Sequence, residues 1–323
     1  MKTLQSLLAF CILFVSLSNA QKMKYSFKES YAVTPDAQLM VSTSDGNIDL
    51  VSSPGNEIEV FFIAKRNNSV LQVDREALEK EVILEVIQDQ NSVKITVKDK
   101  NKYSDDLFRK GINVSFEIHA PEKTACNFNT SDGNISLAGL AGDQKLKTSD
   151  GNIRIADVGG NIIGKTSDGD ISVRAVKGSV GVSTSDGNIE VTNITGDVQS
   201  STSDGNIVIS NVEGNTSSKT SDGHITFKEL SGSFTGITSD GNIRGNFLQL
   251  KQELTVRTGD GNIDITIPGN LGLDLDIKGE SLDVPLNNFS GRSDEESIQG
   301  KSNGGGIPVN LSTSDGRVVL AFQ

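Results

Sequence analysis

Aspartates recur along this chain in one fixed setting, with a threonine two residues before and a glycine directly after. Ten copies of Thr-x-Asp-Gly place these aspartates at Asp45, Asp132, Asp150, Asp168, Asp186, Asp204, Asp222, Asp240, Asp260 and Asp315. From Asp132 to Asp240 every interval is 18 residues. A fixed short period indicates one structural unit stacked on itself, with each unit covering the apolar face of its neighbour. Stacking would bring the carboxylates into one row.

A row of carboxylates about 5 Å apart repels itself unless something neutralises the charge. Calcium takes several carboxylate and carbonyl oxygens. The calcium candidates are therefore Asp132, Asp150, Asp168, Asp186, Asp204, Asp222 and Asp240. The repeats match neither a helical-hairpin calcium loop nor the nonapeptide of calcium rolls. We expect each aspartate to accept amides of its own turn instead, and a calcium-stabilised β-roll stays open as an alternative.

The residues between the aspartates predict two short strands in each repeat. Apolar residues stand at positions +3, +5, +8 and usually +12 after each aspartate, with polar residues between them. Such alternation is typical of strands with one buried face. The Asp-Gly glycine is expected to supply a positive φ, and a second glycine at +10 a second break. In-register coiling would build a structural ladder from Ile153, Ile171, Ile189, Ile207, Ile225 and Ile243.

Asp-Gly is also a strong hairpin signal, so an antiparallel meander is the competing geometry. A meander does not require the same residue every 18 positions, whereas in-register stacking rewards it. The prediction is therefore an all-β fold, a β-solenoid or β-helix of 18-residue rungs capped by irregular β regions at both ends. The repeat threonines are expected to face inward.

The ends of the chain differ from its middle. Residues 1–20 combine Lys2, a short apolar run and small residues before Gln21, which predicts a secretory signal peptide. We expect an N-terminal β region with one rung and a hairpin over residues 21–125, the repeat solenoid over 126–270, and a C-terminal β cap over 271–323. The signal peptide indicates export to the periplasm, the cell surface or the medium. No transmembrane segment is expected after signal cleavage.

Composition bears on the class of partner. The formal net charge is −12, aromatic residues make up 5% and tryptophan is absent. An acidic surface repels nucleic acid, so no nucleic-acid partner is expected. The segment Gly159–Thr166 satisfies the phosphate-binding pattern G-x-x-x-x-G-K-T, but another rung turn follows it where that loop needs a helix. No nucleotide and no cofactor are therefore expected.

Few residues suit catalysis. His119 alternates with apolar residues on a predicted strand, and His224 replaces asparagine at a turn. Neither histidine has a nucleophile beside it in the sequence, and Cys126 is expected to be a buried apolar side chain. No catalytic residue is predicted, and we expect that the protein is not an enzyme. The alternative is a carbohydrate-active enzyme on a β-helix, although no basic cluster is expected opposite the aspartates.

Several of these segments together carry a family resemblance. The early Ser44-Asp45-Gly46-Asn47 rung, a strand ending in Ala120-Pro121 and the serial Thr-Ser-Asp-Gly-Asn-Ile rungs resemble the bacterial "putative adhesin" β-solenoid domains of unknown function. The resemblance covers nearly all of the chain after residue 20. It implies a surface or envelope protein without established catalytic residues. The expected function is an exported, non-enzymatic scaffold or adhesin-like protein that presents repeated polar ladders to a surface protein or a polysaccharide.

Overall fold

Strands make up most of the computed structural model, which describes residues 24–100 and 111–323. The predicted signal peptide, residues 1–20, lies outside the described residues. The N-terminal elements are β1 (Phe27–Ala32), β2 (Gln38–Ser42), β3 (Ile48–Ser52), β4 (Glu57–Arg66), β5 (Ser69–Val70), α1 (Arg75–Glu81), β6 (Val82–Asp89), β7 (Ser92–Asp99), β8 (Asn113–Ala120) and β9 (Ala125–Asn129).

The central and C-terminal strands follow the 18-residue repeat and then depart from it. The central strands are β10 (Ile135–Ala138), β11 (Gln144–Lys147), β12 (Ile153–Val158), β13 (Ile162–Lys165), β14 (Ile171–Lys177), β15 (Val180–Ser183), β16 (Ile189–Thr195), β17 (Val198–Ser201), β18 (Ile207–Glu213) and β19 (Thr216–Lys219). The last strands are β20 (Ile225–Ile237), β21 (Ile243–Thr258), β22 (Ile263–Ile267), β23 (Leu273–Lys278), β24 (Ser281–Asp283), β25 (Phe289–Ser293), β26 (Ser297–Ser302), β27 (Ile307–Thr313) and β28 (Arg317–Phe322).

Each repeat places one strand in each of two parallel columns. The first column holds the strand that follows the Asp-Gly turn, so Ile153 aligns with Ile171 and Ile171 with Ile189. The second column holds the strand that precedes the next turn, so Ile162 aligns with Val180. The long strands β20 and β21 pass through both columns. The parallel pairing confirms the predicted β-solenoid and excludes the antiparallel meander for the repeats.

The first and last rungs do not lie in chain order. Strand β2 lies between β7 and β9, and β3 lies between β8 and β10, so the Asp45 rung is inserted between two later segments. At the other end β27 lies between β21 and β23, and β28 between β22 and β24. All ten Thr-x-Asp-Gly turns therefore stack in one column, in the order Asp45, Asp132 through Asp260, and Asp315.

Antiparallel strands close both ends of the stack. Strands β4 and β1 continue the first column beyond β8, and the β6–β7 hairpin continues the second column. At the C-terminal end β26 pairs antiparallel with β23, and β25 pairs antiparallel with β26. The Asp74 carboxylate caps α1 by accepting the amide of Ala77 at 2.9 Å. The domain boundaries at residues 125 and 270 stay a prediction.

The core runs along the axis between the two strand columns. Each isoleucine of the predicted ladder is 0–1% exposed: Ile153, Ile171, Ile189, Ile207, Ile225 and Ile243. Register pairs each of them with the next in this order. Because equivalent apolar side chains cover one another, the core needs no disulfide.

A left-handed residue at +7 shifts the strand alternation by one position. The residues with positive φ there are Asp157, Ala175, Asn193, Asn211 and Glu229. In β12 the shift lets Ile155 and Val158 both face the core, although three positions separate them. Short polar side chains tolerate this conformation best, and three of the five are Asp or Asn.

Candidate functional site: the turn column and the two outward faces

Threonine hydroxyls join each turn to the one before it. Thr184 Oγ1 lies 2.9 Å from the Ser167 carbonyl oxygen and 3.0 Å from that of Gly169, so its hydrogen is shared between the previous rung's two acceptors. It also accepts the amide of Gly187 at 3.3 Å. The two contacts with carbonyl oxygens recur from Thr130 to Thr258 and end at Thr313 on Gly259 and Gly261. The repeat threonines are buried, as their sequence position indicated.

Turn glycines recur because the rungs approach too closely for a side chain. A Cβ on Gly187 would lie 2.0 Å from the carbonyl oxygen of Gly169, and one on Gly151 would lie 1.9 Å from that of Gly133. No glycine of the ten turns has a positive φ in the described residues. The expected reason for this glycine was therefore wrong, and contact between successive backbones is what selects it.

Side chains at position +2 form a second column of hydrogen bonds. Asn134 Oδ1 accepts the amide of Asn152 at 2.8 Å, and Asn152 Oδ1 accepts that of Asp170 at 2.7 Å. The column passes through His224, whose Nδ1 accepts the amide of Asn242 at 3.0 Å. His224 therefore acts here as an acceptor in place of an asparagine, a role that the repeat alignment could have shown.

The calcium candidates line the exposed corner of the turn column. All seven carboxylates are exposed: Asp132, Asp150, Asp168, Asp186, Asp204, Asp222 and Asp240. In the described residues, the turn amides are bound by the preceding turn's serine carbonyl oxygen, by the threonine hydroxyl and by the preceding side chain at +2, and not by these carboxylates. The same part of the chain holds no group of three or more His, Cys, Asp or Glu side chains that could hold a metal ion. Calcium binding stays an untested prediction.

We use face 1 for the outward side of the first strand column, which carries charges of both signs. Arg154, Glu190 and Arg244 are exposed on it. Near its N-terminal end His119 Nδ1 lies 3.5 Å from Glu59 and its Nε2 lies 3.6 Å from Glu117. Lys28 also contacts Glu59, and this hydrogen bond lowers the pKa of the Glu59 carboxyl. Sequence spacing could not show this cluster, since it forms between β4 and β8 across the antiparallel end.

We use face 2 for the outward side of the second strand column from β9 to β21. Glu253 of β21 is exposed at the edge of this face. The sixteen side-chain positions inside that edge contain five cations and no aspartate or glutamate. They are Asn127, Asn129, Lys145, Lys147, Ile163, Lys165, Gly181, Ser183, Gln199, Ser201, Ser217, Lys219, Thr235, Ile237, Thr255 and Arg257. The sequence predicted no basic cluster opposite the aspartates. The structure places these cations on the strand face next to the aspartate column. The recurrence of lysine three residues before Asp150, Asp168 and Asp222 was the available signal.

A groove runs along face 2 parallel to the stacking direction. A cavity of about 500 Å³ crosses five rungs, and a second of about 300 Å³ shares Ile163, Gly181 and Gln199 with it. Five rungs correspond to roughly 19 Å at strand spacing. The groove opens at Gly181, which has no side chain, beside Ile163, which is 48% exposed. Most of the other lining residues carry a hydroxyl or an amide group, although much of the surface that they expose to the groove is apolar.

Two further candidates from the sequence have ordinary places in the fold. Residues Gly159–Thr166 lead through the second bend into β13, and Thr166 Oγ1 contacts the carbonyl oxygens of Ser149 and Gly151, both at 2.9 Å. Cys126 is buried on β9, and burial raises the pKa of its thiol far above the usual range. A thiol held in this way is a poor nucleophile.

Comparisons with known proteins agree with this architecture. The sequence matches the Toastrack DUF4097 family over residues 51–227 and 160–321. No curated protein matches it. Among the described residues, no helix is both long and apolar enough to cross a bilayer.

Solved structures with similarity to the chain have low sequence identity. A putative adhesin from Parabacteroides distasonis is 14% identical over 91% of this chain and 96% of that one, with a TM-score of 0.41. A putative adhesin from Bacteroides fragilis is 13% identical over 75% and 96%, with a TM-score of 0.39. A putative lipid binding protein from Parabacteroides distasonis is 11% identical over 90% and 96%, with a TM-score of 0.24. The family match covers well over half of the sequence and confirms the resemblance carried by the serial rungs: the chain belongs to the Toastrack DUF4097 family.

Proposed function

We propose that the protein is an exported, non-enzymatic scaffold that binds an extended surface or envelope partner along face 2. The observation that carries this proposal is the row of cations on face 2, in a chain whose formal net charge is −12. Each of these cations stands on a strand whose neighbours are fixed in register on both sides. The face is therefore preorganised, and binding would cost little ordering of the protein.

The turn column supports a scaffold role. Threonine hydroxyls, asparagine amides and backbone ladders connect every rung to the next, which favours a rigid surface over a moving one. The histidines support a role without catalysis. His224 is held in the turn column by the amide of Asn242, and His119 lies on the outer side of β8 with carboxylates as its neighbours.

A tagged protein in its native host tests both parts of the proposal. We expect the tag, placed after Gln323, to fractionate with the envelope or the medium and to be cleaved by protease added to intact cells or to spheroplasts. A photo-crosslinking amino acid at Ser217 on face 2 should capture a partner, whereas one at Thr226 on face 1 should capture less. A cytoplasmic, protease-protected protein would contradict export, and equal capture from both faces would contradict the assignment to face 2.

A further inference from the structure

We propose that the groove of face 2 binds an acidic polysaccharide, with the glycan chain lying along the stacking direction. The inference rests on the proposed function, because it names the chemical class of the partner for the same face. Three features carry it: cations without ion-pair partners, a groove lined by hydroxyl and amide groups, and acidic residues confined to the corners that flank the face.

The charges on face 2 are available to a ligand. Within the described residues, none of its five cations has a carboxylate within 4.0 Å, whereas ion pairs form elsewhere at Arg75, Lys28 and Arg317. Lys165 stands three residues from the exposed carboxylate of Asp168 and does not pair with it. A simple neutralising role would place these groups in contact. Cations held apart from the protein's own acids suit the carboxylate, sulfate or phosphate groups of a bound polymer.

The groove suits the rest of a sugar chain. Ser179, Gln199, Asn215 and Ser217 line it, and their hydroxyl and amide groups can both donate to and accept from sugar hydroxyls. Ile163 adds an apolar surface for the hydrophobic side of a sugar ring. Lys165 lines the adjoining cavity, and Lys219 extends the same cation row along its far end. An anionic chain would thus meet a cation on two of the five rungs that the groove crosses.

Acidic corners favour a single chain over a membrane surface. The aspartate column flanks face 2 on one side, and Asp143, Asp197 and Glu253 lie exposed at the bend on the other. A flat anionic bilayer would approach both corners and be repelled by them. A narrow chain in the groove would lie between the two corners, where Asp197 lines one edge and would accept hydrogen bonds from neutral hydroxyls.

Charged and neutral forms of one polymer test the proposal. The acidic probes are polygalacturonate and hyaluronate. The neutral probe is methyl-esterified polygalacturonate, which keeps the backbone without the charge. Binding of each probe to residues 21–323 is measured by calorimetry. We expect binding to at least one acidic glycan, weakening as salt increases, and binding to the methyl ester weaker by about tenfold or more. Absence of binding to both acidic glycans, or equal binding to the ester, would overturn the proposal.

Two variants locate the binding on face 2. Lys165→Gln combined with Lys219→Gln removes two cations of face 2, of which Lys165 lines the adjoining cavity, and should weaken binding by about tenfold or more. Gly181→Ile fills the groove, and we expect the protein to tolerate it because the position faces outward and a Cβ there has its nearest contact at 3.8 Å, on the Ile162 carbonyl oxygen. It should weaken binding without lowering the melting temperature. This second variant separates loss of the groove from loss of charge.

A matched control separates binding at face 2 from general electrostatic attraction between the glycan and the protein's cations. Arg154→Gln combined with Arg244→Gln removes the same charge from face 1 and should leave the affinity unchanged within about twofold. Equal loss in this control would overturn the assignment to face 2.

Binding to phosphatidylglycerol vesicles without binding to either acidic glycan would identify a membrane surface instead. The cellular crosslinks from Ser217 would still report a partner in both cases, so failure of the glycan proposal is distinguishable from failure of the proposed function.

Discussion

Gly187 shows how a single residue is selected by the neighbouring rung and not by its own conformation. The carbonyl oxygen of Gly169 occupies the space that any Cβ on Gly187 would need, and Gly205 stands in the same relation to Gly187. From Gly133 to Gly261, each turn glycine is approached by the carbonyl oxygen of the preceding turn glycine, and its own carbonyl oxygen approaches the next one. A change at one rung therefore disturbs two interfaces.

Gly187→Ala should lower the free energy of unfolding by about 1–3 kcal/mol or more, because the added methyl group must push two rungs apart. Gly181→Ala is the matched control, since a Cβ at Gly181 meets no atom closer than 3.8 Å. It should be neutral or stabilise slightly, as glycine is a poor strand residue. Thermal unfolding by circular dichroism measures both. Equal melting temperatures for the two variants would show that the rungs are not in close contact.

Thr184→Val tests the threonine bridge with almost no change in shape. The variant leaves the carbonyl oxygens of Ser167 and Gly169 and the amide of Gly187 without their side-chain partner, which should cost about 1–3 kcal/mol. Thr195→Val, at an exposed position on the same rung, should change stability by less than about 0.5 kcal/mol. If the two variants unfold alike, the hydroxyl bridges do not stabilise the stack.

Sequence patterns predicted the strands of the repeat well because equivalent apolar residues have the same surroundings in every rung. The alternation at +3 and +5 identified the strands, and the ladder through Ile153 follows from it. The same regularity hides what differs between rungs. Every rung presents nearly the same apolar row, so nothing local tells the segment of Asp45 to enter between β8 and β10. The groove at Gly181 was also hidden, because it depends on which side of β15 faces outward and on its neighbours Ile163 and Gln199.

Two strands from the terminal segments have hydrogen-bonded partners on both sides because they are inserted between other strands of the stack. Strand β2 is enclosed by β7 and β9, and β27 by β21 and β23, although both belong to terminal segments. In contrast β25 is paired on one side, to β26. A parallel strand with partners on both sides has all its ladder groups satisfied, whereas an edge strand exchanges its free amides with water.

Hydrogen exchange should reveal this order directly. Amides of β27 and β28, residues 307–322, should exchange as slowly as those of the central strands, and those of β25 should exchange much faster. Mass spectrometry of peptic fragments measures both segments in one experiment. Fast exchange over the last rung, as expected for a frayed chain end, would contradict the inserted position of β27 and β28.

The whole molecule combines a charged corner with a stack held by polar ladders and a buried apolar core. Its polar ladders use hydroxyl, amide and backbone groups, so we expect the melting temperature to be unchanged by millimolar calcium or by a calcium chelator. Magnesium serves as the control for ionic strength. A rise of several degrees that is specific to calcium and reversed by the chelator would support the calcium-stabilised β-roll and would assign the aspartate column a metal.

Disulfide formation between rungs that are distant in sequence tests the single continuous stack most directly. Asp49 aligns with Ser136, and Asp264 with Val319, on adjacent parallel strands. In a chain with Cys126 replaced by serine, cysteine pairs at 49 and 136 and at 264 and 319 should each close a disulfide under mild oxidation, since neighbouring strands lie about 4.8 Å apart. A pair at 49 and 154 lies two rungs apart and should stay reduced. Failure of the first two pairs, or ready closure of the third, would contradict the inserted rungs and the continuous turn column.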